Sequence, residues 1–278
     1  MKSLYVSDLD GTLLNSKKQV SAYSAKVINA CIDRGMQFTI ATARMAYACD
    51  YRLSALRLRT PAILTNGVFL YDFQEKKYIS AEVIPAQAVP QIIAAFENNG
   101  TSCFLYTYHQ NNISMYYGDA SLTKQTQYYS DKALESCGEV TLVEDVTLAA
   151  MDKQVVYVAL SGTQEQLTPI CEAIGKLDYV SYAYYLNIYN GLYCIEVFSR
   201  NASKKTALRK LQQMLDCDEL VVFGDNLNDL PMIEIAHRSY APRNGLPEVK
   251  DKVTAVIDDC DDDGVAKFLA QEFDIADR

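Results

Sequence analysis

The stretch DLDGTLL, residues 8–14, decides both the fold and the chemistry that we predict for this chain. The apolar residues Leu4, Tyr5 and Val6 precede it and predict a short buried strand that ends at Asp8. Ligands of open α/β sheets bind beyond the carboxyl ends of the strands, so Asp8 and Asp10 are expected to face such a crevice. Two carboxylates in this position can bind a hard cation, and one of them can act as a nucleophile.

Two other interpretations of this stretch are a calcium-binding loop and a surface turn without chemistry. A calcium loop needs a further acid or amide and a late glutamate, and residues 12–14 (TLL) do not provide them. The strand directly before Asp8 favours the catalytic interpretation over the simple turn.

Composition excludes several classes of function. The chain has 278 residues and a net charge of −9, without a run of basic residues, so duplex nucleic acid is not an expected partner. No apolar segment approaches ~20 residues, and none has signal-peptide length at the start, so we expect a cytoplasmic protein that does not enter a membrane. The eight cysteines are scattered and are expected to be reduced, and two histidines give little support for a zinc site or a serine triad.

Strands and helices alternate at both ends of the chain, whereas the middle has a different pattern. Alternation with short connections predicts a parallel sheet, and hairpin-linked strands with two helices predict an antiparallel α+β unit. The predicted fold class is α/β: a Rossmann-like parallel-sheet core, residues 1–83 and 191–278, with an inserted α+β cap, residues 84–190. The main predicted elements are helices at 22–34, 45–56, 87–98, 164–177, 204–215, 230–236 and 264–273, and strands at 38–41, 62–64, 68–71, 103–108, 113–117, 155–160, 180–186, 192–198, 220–223 and 254–257.

Polar residues at the predicted strand ends form a set that phosphoryl transfer would use. That reaction needs an in-line nucleophile, positive charge for the phosphoryl oxygens and a proton donor for the leaving group. Four carboxylates in one crevice would repel one another strongly without a divalent cation, so a metal is almost required. The candidates are Asp8 as nucleophile, Asp10 as acid and base, Thr42 and Lys204 as phosphate contacts, and Asp225 with Asp229 as metal ligands.

Each of these residues also has a purely structural interpretation when it is considered alone. Thr42 suits a strand end, Lys204 and Arg44 suit solvated positions, and Asp225 and Asp229 suit the start of a helix. The aspartate run at residues 258–263 predicts a solvated turn and helix start, because its acids are too close together for an EF-hand pattern.

Five segments resemble, in order, the motifs of the haloacid dehalogenase-like phosphatases. Their spacing is similar to that of the Cof-type branch, in which a large cap is inserted between the threonine motif and the lysine motif. Residues 262–266 (DDGVA) also resemble that branch. The five segments are DLDGTLL at 8–14, ATAR at 41–44, Asn66-Gly67, Ser203-Lys204 and GDNLND at 224–229.

The resemblance implies a role for each matching residue. Asp8 would attack phosphorus and bind Mg²⁺, while Asp10 would protonate the leaving oxygen, activate water and bind the metal through its backbone carbonyl. Asp225 would be the other protein ligand, with Asp229 as a ligand or as its support. The implied phosphate or substrate contacts are Leu9, Thr42, Ala43, Arg44, Lys204 and Asn228.

The chain departs from the family pattern at two positions, where Ala43 and Lys205 stand in place of the usual glycines. Neither change removes a catalytic group. We therefore predict a Mg²⁺-dependent phosphatase that acts on a small phosphorylated metabolite, with sugar phosphates as the first candidates. The alternatives are a phosphotransferase or mutase on the same scaffold and a non-catalytic phosphometabolite-binding protein. The pattern predicts no particular oligomeric state.

Overall fold

The computed structural model describes residues 2–126, 139–187 and 191–275. The chain divides into a core unit, Met1–Ile79 with Ser203–Arg278, and an insert, Ser80–Ala202. The sequence predicts an insert at residues 84–190, whereas this division lies at Ser80 and Ala202. The strand Tyr193–Ser199 pairs with insert strands on both of its sides.

The first part of the core begins with a strand and a well-capped helix. The hydroxyl of Ser21 accepts a hydrogen bond from the backbone N–H of Ser24, which fixes the start of α1 as predicted. The predicted helix at 45–56 is wrong as a continuous element, because a 3-10 turn at Ala46–Ala48 precedes a separate short helix. The elements are β1 (Ser3–Ser7), α1 (Ala22–Asp33), β2 (Gln37–Ile40), α2 (Asp50–Leu53), β3 (Ala62–Leu64), β4 (Phe69–Asp72) and β5 (Lys77–Ala81).

The insert forms a six-stranded sheet with helices between its strands. Its strand order is β10-β11-β9-β6-β7-β8, and neighbouring strands are antiparallel except for the parallel pair β7–β8. The elements are α3 (Val89–Glu97), β6 (Phe104–His109), β7 (Asn112–Tyr117), α4 (Thr123–Thr126), β8 (Glu139–Leu142), α5 (Val146–Ala150), β9 (Gln154–Gly162), α6 (Gln164–Ile174), β10 (Val180–Leu186) and β11 (Tyr193–Ser199).

The strands on either side of the predicted Asn190-Gly191 turn pair as an antiparallel hairpin, although Asn190 itself lies outside the described residues. Strand β8 was not predicted. It is short and lies at the edge of the sheet.

The second part of the core restores the strand–helix alternation. Helix α7 begins directly after Ser203, whose side chain accepts a hydrogen bond from the N–H of Thr206. Strand β13 was not predicted from the sequence, although four of its five residues are buried. The elements are α7 (Lys204–Leu215), β12 (Glu219–Phe223), α8 (Leu230–Ile233), β13 (Arg238–Pro242), α9 (Pro247–Lys250), β14 (Ala255–Ile257) and α10 (Gly264–Glu272).

The core sheet is parallel throughout and has the strand order β14-β13-β12-β1-β2. Ser7 at the end of β1 is level with Phe223 on one neighbour and with Ile40 on the other. The residues that follow these three strands therefore emerge at the same edge of the sheet. This register, with the antiparallel sheet of the insert, confirms the predicted fold class.

Strand β3 differs from the prediction that it is the third member of the parallel sheet. It contacts the end of β2 through one parallel bridge, between Ala41 and Ile63, and otherwise pairs antiparallel with β4. The turn between β3 and β4 contains Asn66-Gly67.

Helix α7 packs one apolar face into the centre of the core unit. Its residues Ala207, Leu208 and Leu211 are buried with Leu4 and Val222 in one hydrophobic cluster. Complete burial of a leucine side chain contributes about 1.5–3 kcal/mol, so this face fixes the helix, and with it Lys204, against the sheet. In the part of the chain that the structure describes, no helix has the length and apolar character needed to cross a membrane.

Candidate active site

A buried ion triad lies at the carboxyl edge of the core sheet. The ammonium of Lys204 donates to Oδ1 of Asp8 at 2.5 Å and to Oδ1 of Asp229 at 2.6 Å. Asp8 is 6 % exposed, Lys204 2 % and Asp229 0 %. The backbone N–H of Asp8 donates to the carbonyl of Phe223 at 2.8 Å, which holds the start of the predicted catalytic turn, residues 8–12, against β12.

The charge of Lys204 is maintained by its two partners. Burial alone would lower the pKa of the ammonium, but the carboxylates of Asp8 and Asp229 outweigh burial and raise that pKa above its ordinary value. A lysine in the first turn of a helix is also opposed by the helix dipole. The two carboxylates therefore hold a cation where burial and the helix both disfavour it.

Asp229 is held on both of its carboxylate oxygens. While Oδ1 accepts from Lys204, Oδ2 accepts from the backbone N–H groups of Asp225 at 2.9 Å and Asn226 at 3.0 Å. Gly224 is required beside it, because a Cβ there would lie 2.6 Å from the Cβ of Asp229. Asp229 thus fixes the backbone of the loop after β12, including the backbone of Asp225.

Asp225 stands opposite the catalytic turn and is held by a residue of that turn. The hydroxyl of Thr12 donates to Oδ1 of Asp225 at 2.7 Å. Gly11 has φ +83°, and a Cβ on it would lie 2.6 Å from Oδ2 of Asp225. Only glycine allows the turn and the Asp225 carboxylate to approach this closely.

Three carboxylates of this site can bind one metal ion. Oxygen atoms of Asp8, Asp225 and Asp229 all lie within 4.8 Å of one another. Burial is the main cause that raises the pKa of Asp8 to about 8 and that of Asp225 to about 6. Because three carboxylates lie together and Lys204 pairs with only two of them, a hard divalent cation with oxygen ligands fits this donor set.

The side chain of Asp10 does not belong to this cluster. Its carboxylate accepts from Nε and from a terminal nitrogen of Arg44, at 2.5 and 2.7 Å, and pairs with the ammonium of Lys18 at 3.1 Å. Burial acts to raise the pKa of Asp10, but Arg44 and Lys18 outweigh it and hold that pKa below its ordinary value. The structure therefore places Arg44, proposed from the sequence as a phosphate contact, against Asp10, the predicted acid and base.

Thr42 is buried where the chain leaves β2. Its N–H donates to Ile63 at 2.9 Å, its carbonyl accepts from the N–H of Asn66 at 3.0 Å, and its hydroxyl accepts from the N–H of Arg44 at 3.2 Å. Ala43, between them, is exposed. The ATAR segment is thus tied to the Asn66-Gly67 turn through backbone hydrogen bonds.

The turn at Asn66 also approaches the helix that carries Lys204. Gly67 has φ +99°, and a Cβ there would lie 2.2 Å from the carbonyl oxygen of Ser203. Asn228 is exposed, and its amide donates to Oδ1 of Asn66 at 3.4 Å. These contacts bring the third, fourth and fifth motifs of the sequence together.

The sequence analysis missed three residues of this site. Thr12 belongs to the DLDGTLL stretch but was given no role, and Asn66 was quoted only as part of a motif. Lys18 had no recognisable signal, because its contact with Asp10 depends on a left-handed backbone with φ 59°. The side chain of Leu9 is fully buried, so a role for it in phosphate binding would have to come from its backbone.

Comparison with known families identifies the chain. A family described as haloacid dehalogenase-like hydrolase matches residues 5–269. This protein belongs to the haloacid dehalogenase-like hydrolases. The resemblance to Cof-type members that the motifs indicated is confirmed.

Characterised relatives of this haloacid dehalogenase-like hydrolase include phosphatases. It is 28 % identical over 271 residues to the pyridoxal phosphate phosphatase YbhA of Escherichia coli, which covers 94 % of this chain and 95 % of the relative. It is 26 % identical over 282 residues to the 5-amino-6-(5-phospho-D-ribitylamino)uracil phosphatase YwtE of Bacillus subtilis, covering 95 % and 96 %. The prediction of a phosphatase of the haloacid dehalogenase type is confirmed.

Solved structures have the same fold. The protein TM0651 of Thermotoga maritima superposes with a TM-score of 0.78 at 24 % identity, covering 98 % of this chain and 97 % of the other. A haloacid dehalogenase-like hydrolase of Bacteroides thetaiotaomicron gives 0.75 at 22 % identity, covering 98 % and 100 %.

Proposed function

We propose that this protein is a Mg²⁺-dependent phosphomonoester hydrolase that acts on small phosphorylated metabolites through an aspartyl-phosphate at Asp8. The observation that supports this proposal best is the position of Asp8. Its carboxylate is held by the Lys204 ammonium and lies within 4.8 Å of the carboxylates of Asp225 and Asp229. A nucleophile, a fixed cation and a hard-metal donor set therefore occur at one strand end.

The first step is attack of an Asp8 oxygen on the phosphorus atom. A bond forms between that oxygen and phosphorus, the bond from phosphorus to the leaving oxygen breaks, and the leaving oxygen takes a proton from Asp10. Lys204 neutralises part of the phosphoryl charge. In the second step water attacks phosphorus, Asp10 takes a proton from it, and the bond to Asp8 breaks to release phosphate.

We assign Mg²⁺ to Asp8, Asp225 and the backbone carbonyl of Asp10. When bound, the ion supplies positive charge that screens the carboxylates from each other and from the phosphoryl oxygens. Because both oxygens of Asp229 already accept hydrogen bonds, we assign that residue to orienting Lys204 and the Asp225 backbone.

Asp10 needs a different protonation state in each step. Its contacts with Arg44 and Lys18 favour the carboxylate, which is the form that accepts a proton from water. To act as the acid, Asp10 must gain a proton, and this requires looser contact with at least one cation. The substrate phosphate is a dianion that competes for Arg44, so we propose that phosphate binding releases Asp10 for proton donation.

The substrate is proposed from the relatives and from the site. The relatives act on pyridoxal phosphate, on a phosphoribitylamino-uracil and, for the HMP-PP phosphatase of Yersinia pseudotuberculosis, on HMP-PP. These are small phosphorylated metabolites. The site residues of the core are those that recognise a phosphate group, so we propose the same class, with sugar phosphates tested first.

The proposal is tested by phosphate release from a panel of sugar, nucleotide and cofactor monophosphates. We expect turnover of at least one with Mg²⁺, and loss of turnover with EDTA that added Mg²⁺ reverses. Dependence on a bisphosphate activator without net phosphate release would indicate a mutase. Binding without any turnover would indicate a phosphometabolite sensor and would contradict the proposal.

The substitution Asp8→Asn removes the nucleophile and keeps the shape of the side chain. We expect phosphate release to fall by about 10⁴-fold or more, as for other covalent nucleophiles, with little change in fold. Circular dichroism and the melting temperature provide the control. Substantial activity in a folded Asp8→Asn protein would exclude the aspartyl-phosphate.

A further inference from the structure

The loop that follows β13 contacts the catalytic turn through the side chain of Asn244. Its amide nitrogen donates to the carbonyl oxygen of Gly11 at 2.7 Å, and its Oδ1 accepts from the N–H of Cys260 at 3.0 Å. Both polar groups of this side chain are therefore used, and they join two segments far apart in the sequence. Nothing in the motif analysis had selected Asn244.

The same loop also holds the backbone of Asp225. The N–H of Leu246 donates to the carbonyl of Asp225 at 2.9 Å, and the ideal Cβ position of Gly245 lies 3.3 Å from the Cα of Asp225. Residues 244–246 thus contact the backbone on both sides of the carboxylate cluster. One side is the turn after Asp8, and the other is the loop after β12.

We infer that Asn244 is a positioning residue for the metal site, which it serves by fixing the Gly11 carbonyl relative to Asp225. This inference rests on the proposed Mg²⁺-dependent function. Asn244 is expected to act on the cation only through the backbone of the turn, because its contacts are with Gly11 and Cys260.

The close approach of Gly11 and Asp225 explains why a small displacement of the turn would matter. A Cβ on Gly11 would lie only 2.6 Å from Oδ2 of Asp225, so the backbone of the turn lies close to that carboxylate. The hydrogen bond from Asn244 fixes the orientation of the peptide group between Gly11 and Thr12. Groups that orient metal ligands commonly change metal affinity by about 10- to 100-fold when they are removed.

The segment to which Asn244 is bonded, residues 258–263, is itself held by hydrogen bonds. Cys260 lies in the aspartate run 258–263, which the sequence analysis interpreted as a solvated turn. A turn at Cys260–Asp262 and a helix start at Gly264 are present there, and in addition Oδ1 of Asp263 accepts from the hydroxyls of Ser21 and Ser24, at 2.5 and 2.7 Å, and Asp261 accepts from the N–H of Ser16 at 2.6 Å. The run therefore ties the end of the chain to the segment that follows the catalytic turn, and Asn244 is anchored to it.

The test compares Asn244→Ala with Asn29→Ala in the full-length protein. Asn29 is a matched control because its side chain also bridges two backbone groups, donating to Ala55 and accepting from Arg57, both at 2.8 Å, away from the site. Mn²⁺, which prefers the same oxygen ligands, is titrated alone and followed by electron paramagnetic resonance. We expect about 10-fold weaker Mn²⁺ binding or more for Asn244→Ala and no change for Asn29→Ala.

The variant Asn244→Asp separates geometry from charge. An aspartate keeps an acceptor for the N–H of Cys260. It replaces the amide donor by a carboxylate oxygen, which cannot donate to the carbonyl of Gly11. Its added negative charge alone would strengthen cation binding, whereas the lost hydrogen bond would weaken it. Weaker Mn²⁺ binding supports the inference, and unchanged or tighter binding overturns it. This variant also serves if Asn244→Ala does not fold, and melting temperatures in EDTA identify that case.

Phosphate release distinguishes this inference from the proposed function. The Asn244 variants should need more Mg²⁺ for half-maximal activity, while the KM for substrate at saturating Mg²⁺ stays near that of the wild type. A wild-type protein that binds Mn²⁺ but releases no phosphate would contradict the proposed function alone. Asn244 variants that bind Mn²⁺ like Asn29→Ala, in an active enzyme, would overturn the role of Asn244 alone.

Discussion

The core unit and the insert bury different kinds of polar group. The core buries a complete ion triad, in which Lys204 lies between Asp8 and Asp229. Among the described residues of the insert, the fully buried polar side chains are the uncharged Thr107 and Ser199. In the insert, a tyrosine hydroxyl on one strand serves a carboxylate on the next. The half-buried Glu196 accepts a hydrogen bond from the hydroxyl of Tyr185 at 2.7 Å.

Sheet topology explains this difference. In the parallel core sheet, every strand ends at the same edge, so residues that follow different strands converge. In the antiparallel part of the insert sheet, neighbouring strands end at opposite edges, and side chains alternate between the two faces. Buried charges can therefore support one another in the core, whereas the described strands of the insert form no comparable place where strand ends meet.

The strongest test of this contrast is removal of the central cation with Lys204→Met. Asp8 and Asp229 would then be buried without their partner, and such a loss costs about 3–5 kcal/mol. We expect the free energy of unfolding in urea to fall by this amount above about pH 8, where Asp8 is ionised, and phosphate release to be lost.

The neighbouring residue provides the control. Lys205 pairs with Glu234 at the surface, where the two side chains are 33 % and 69 % exposed. Exposed pairs contribute about 0–1 kcal/mol, so Lys205→Met should change stability little. Equal losses in the two variants would contradict the view that the buried triad holds the core site together.

A second test uses pH in the presence of EDTA. The pKa values of Asp8 and Asp225 are raised to about 8 and about 6, so the folded protein holds these protons more tightly than the unfolded chain. The free energy of unfolding should therefore fall as pH rises from about 5 to about 8. Added Mg²⁺ should stabilise the protein more at the higher pH, because protons compete with the ion.

Urea denaturation at several pH values measures this effect. Asp225→Asn should reduce the slope mainly around pH 6, and a wild-type curve that is flat with pH in EDTA would contradict the expected charge distribution.

The smallest effect is expected in the insert, for Glu196→Gln. Burial raises the pKa of Glu196, which disfavours a buried charge there, and glutamine keeps an acceptor oxygen for Tyr185. We expect a change of about 1 kcal/mol or less in the free energy of unfolding. A loss as large as that of Lys204→Met would show that the insert depends on a buried charge in the same way as the core.

The core site was predictable because its residues follow buried strands. The apolar runs before Asp8 and Asp225 identified β1 and β12. The hydrogen-bond partner of each of these side chains was not predictable. Nothing in the sequence shows that Arg44 contacts Asp10 or that Asn244 contacts Gly11, because these contacts depend on side-chain positions in the folded protein.

The apolar periodicity of residues 45–56 predicted one continuous helix, but a 3-10 turn and a separate α-helix bury the same residues. Ala46, Cys49, Leu53 and Leu56 have helical spacing and are all buried, as the predicted helix 45–56 required. The backbone nevertheless changes from 3-10 to α geometry, since the N–H of Cys49 bonds to Ala46 and that of Leu53 bonds to Cys49. Apolar spacing predicts the buried face but not the continuity of the helix.

The order of the triad along the chain has a consequence for biosynthesis. Lys204 follows Asp8 by 196 residues, and β12, the neighbour of β1, comes later still. A nascent chain therefore exposes the β12-facing edge of β1, and Asp8 lacks its ammonium partner, until these later residues have left the ribosome. Strands that are far apart in sequence pair slowly. The insert can therefore fold before β1 and Asp8 have formed their contacts with β12 and Lys204.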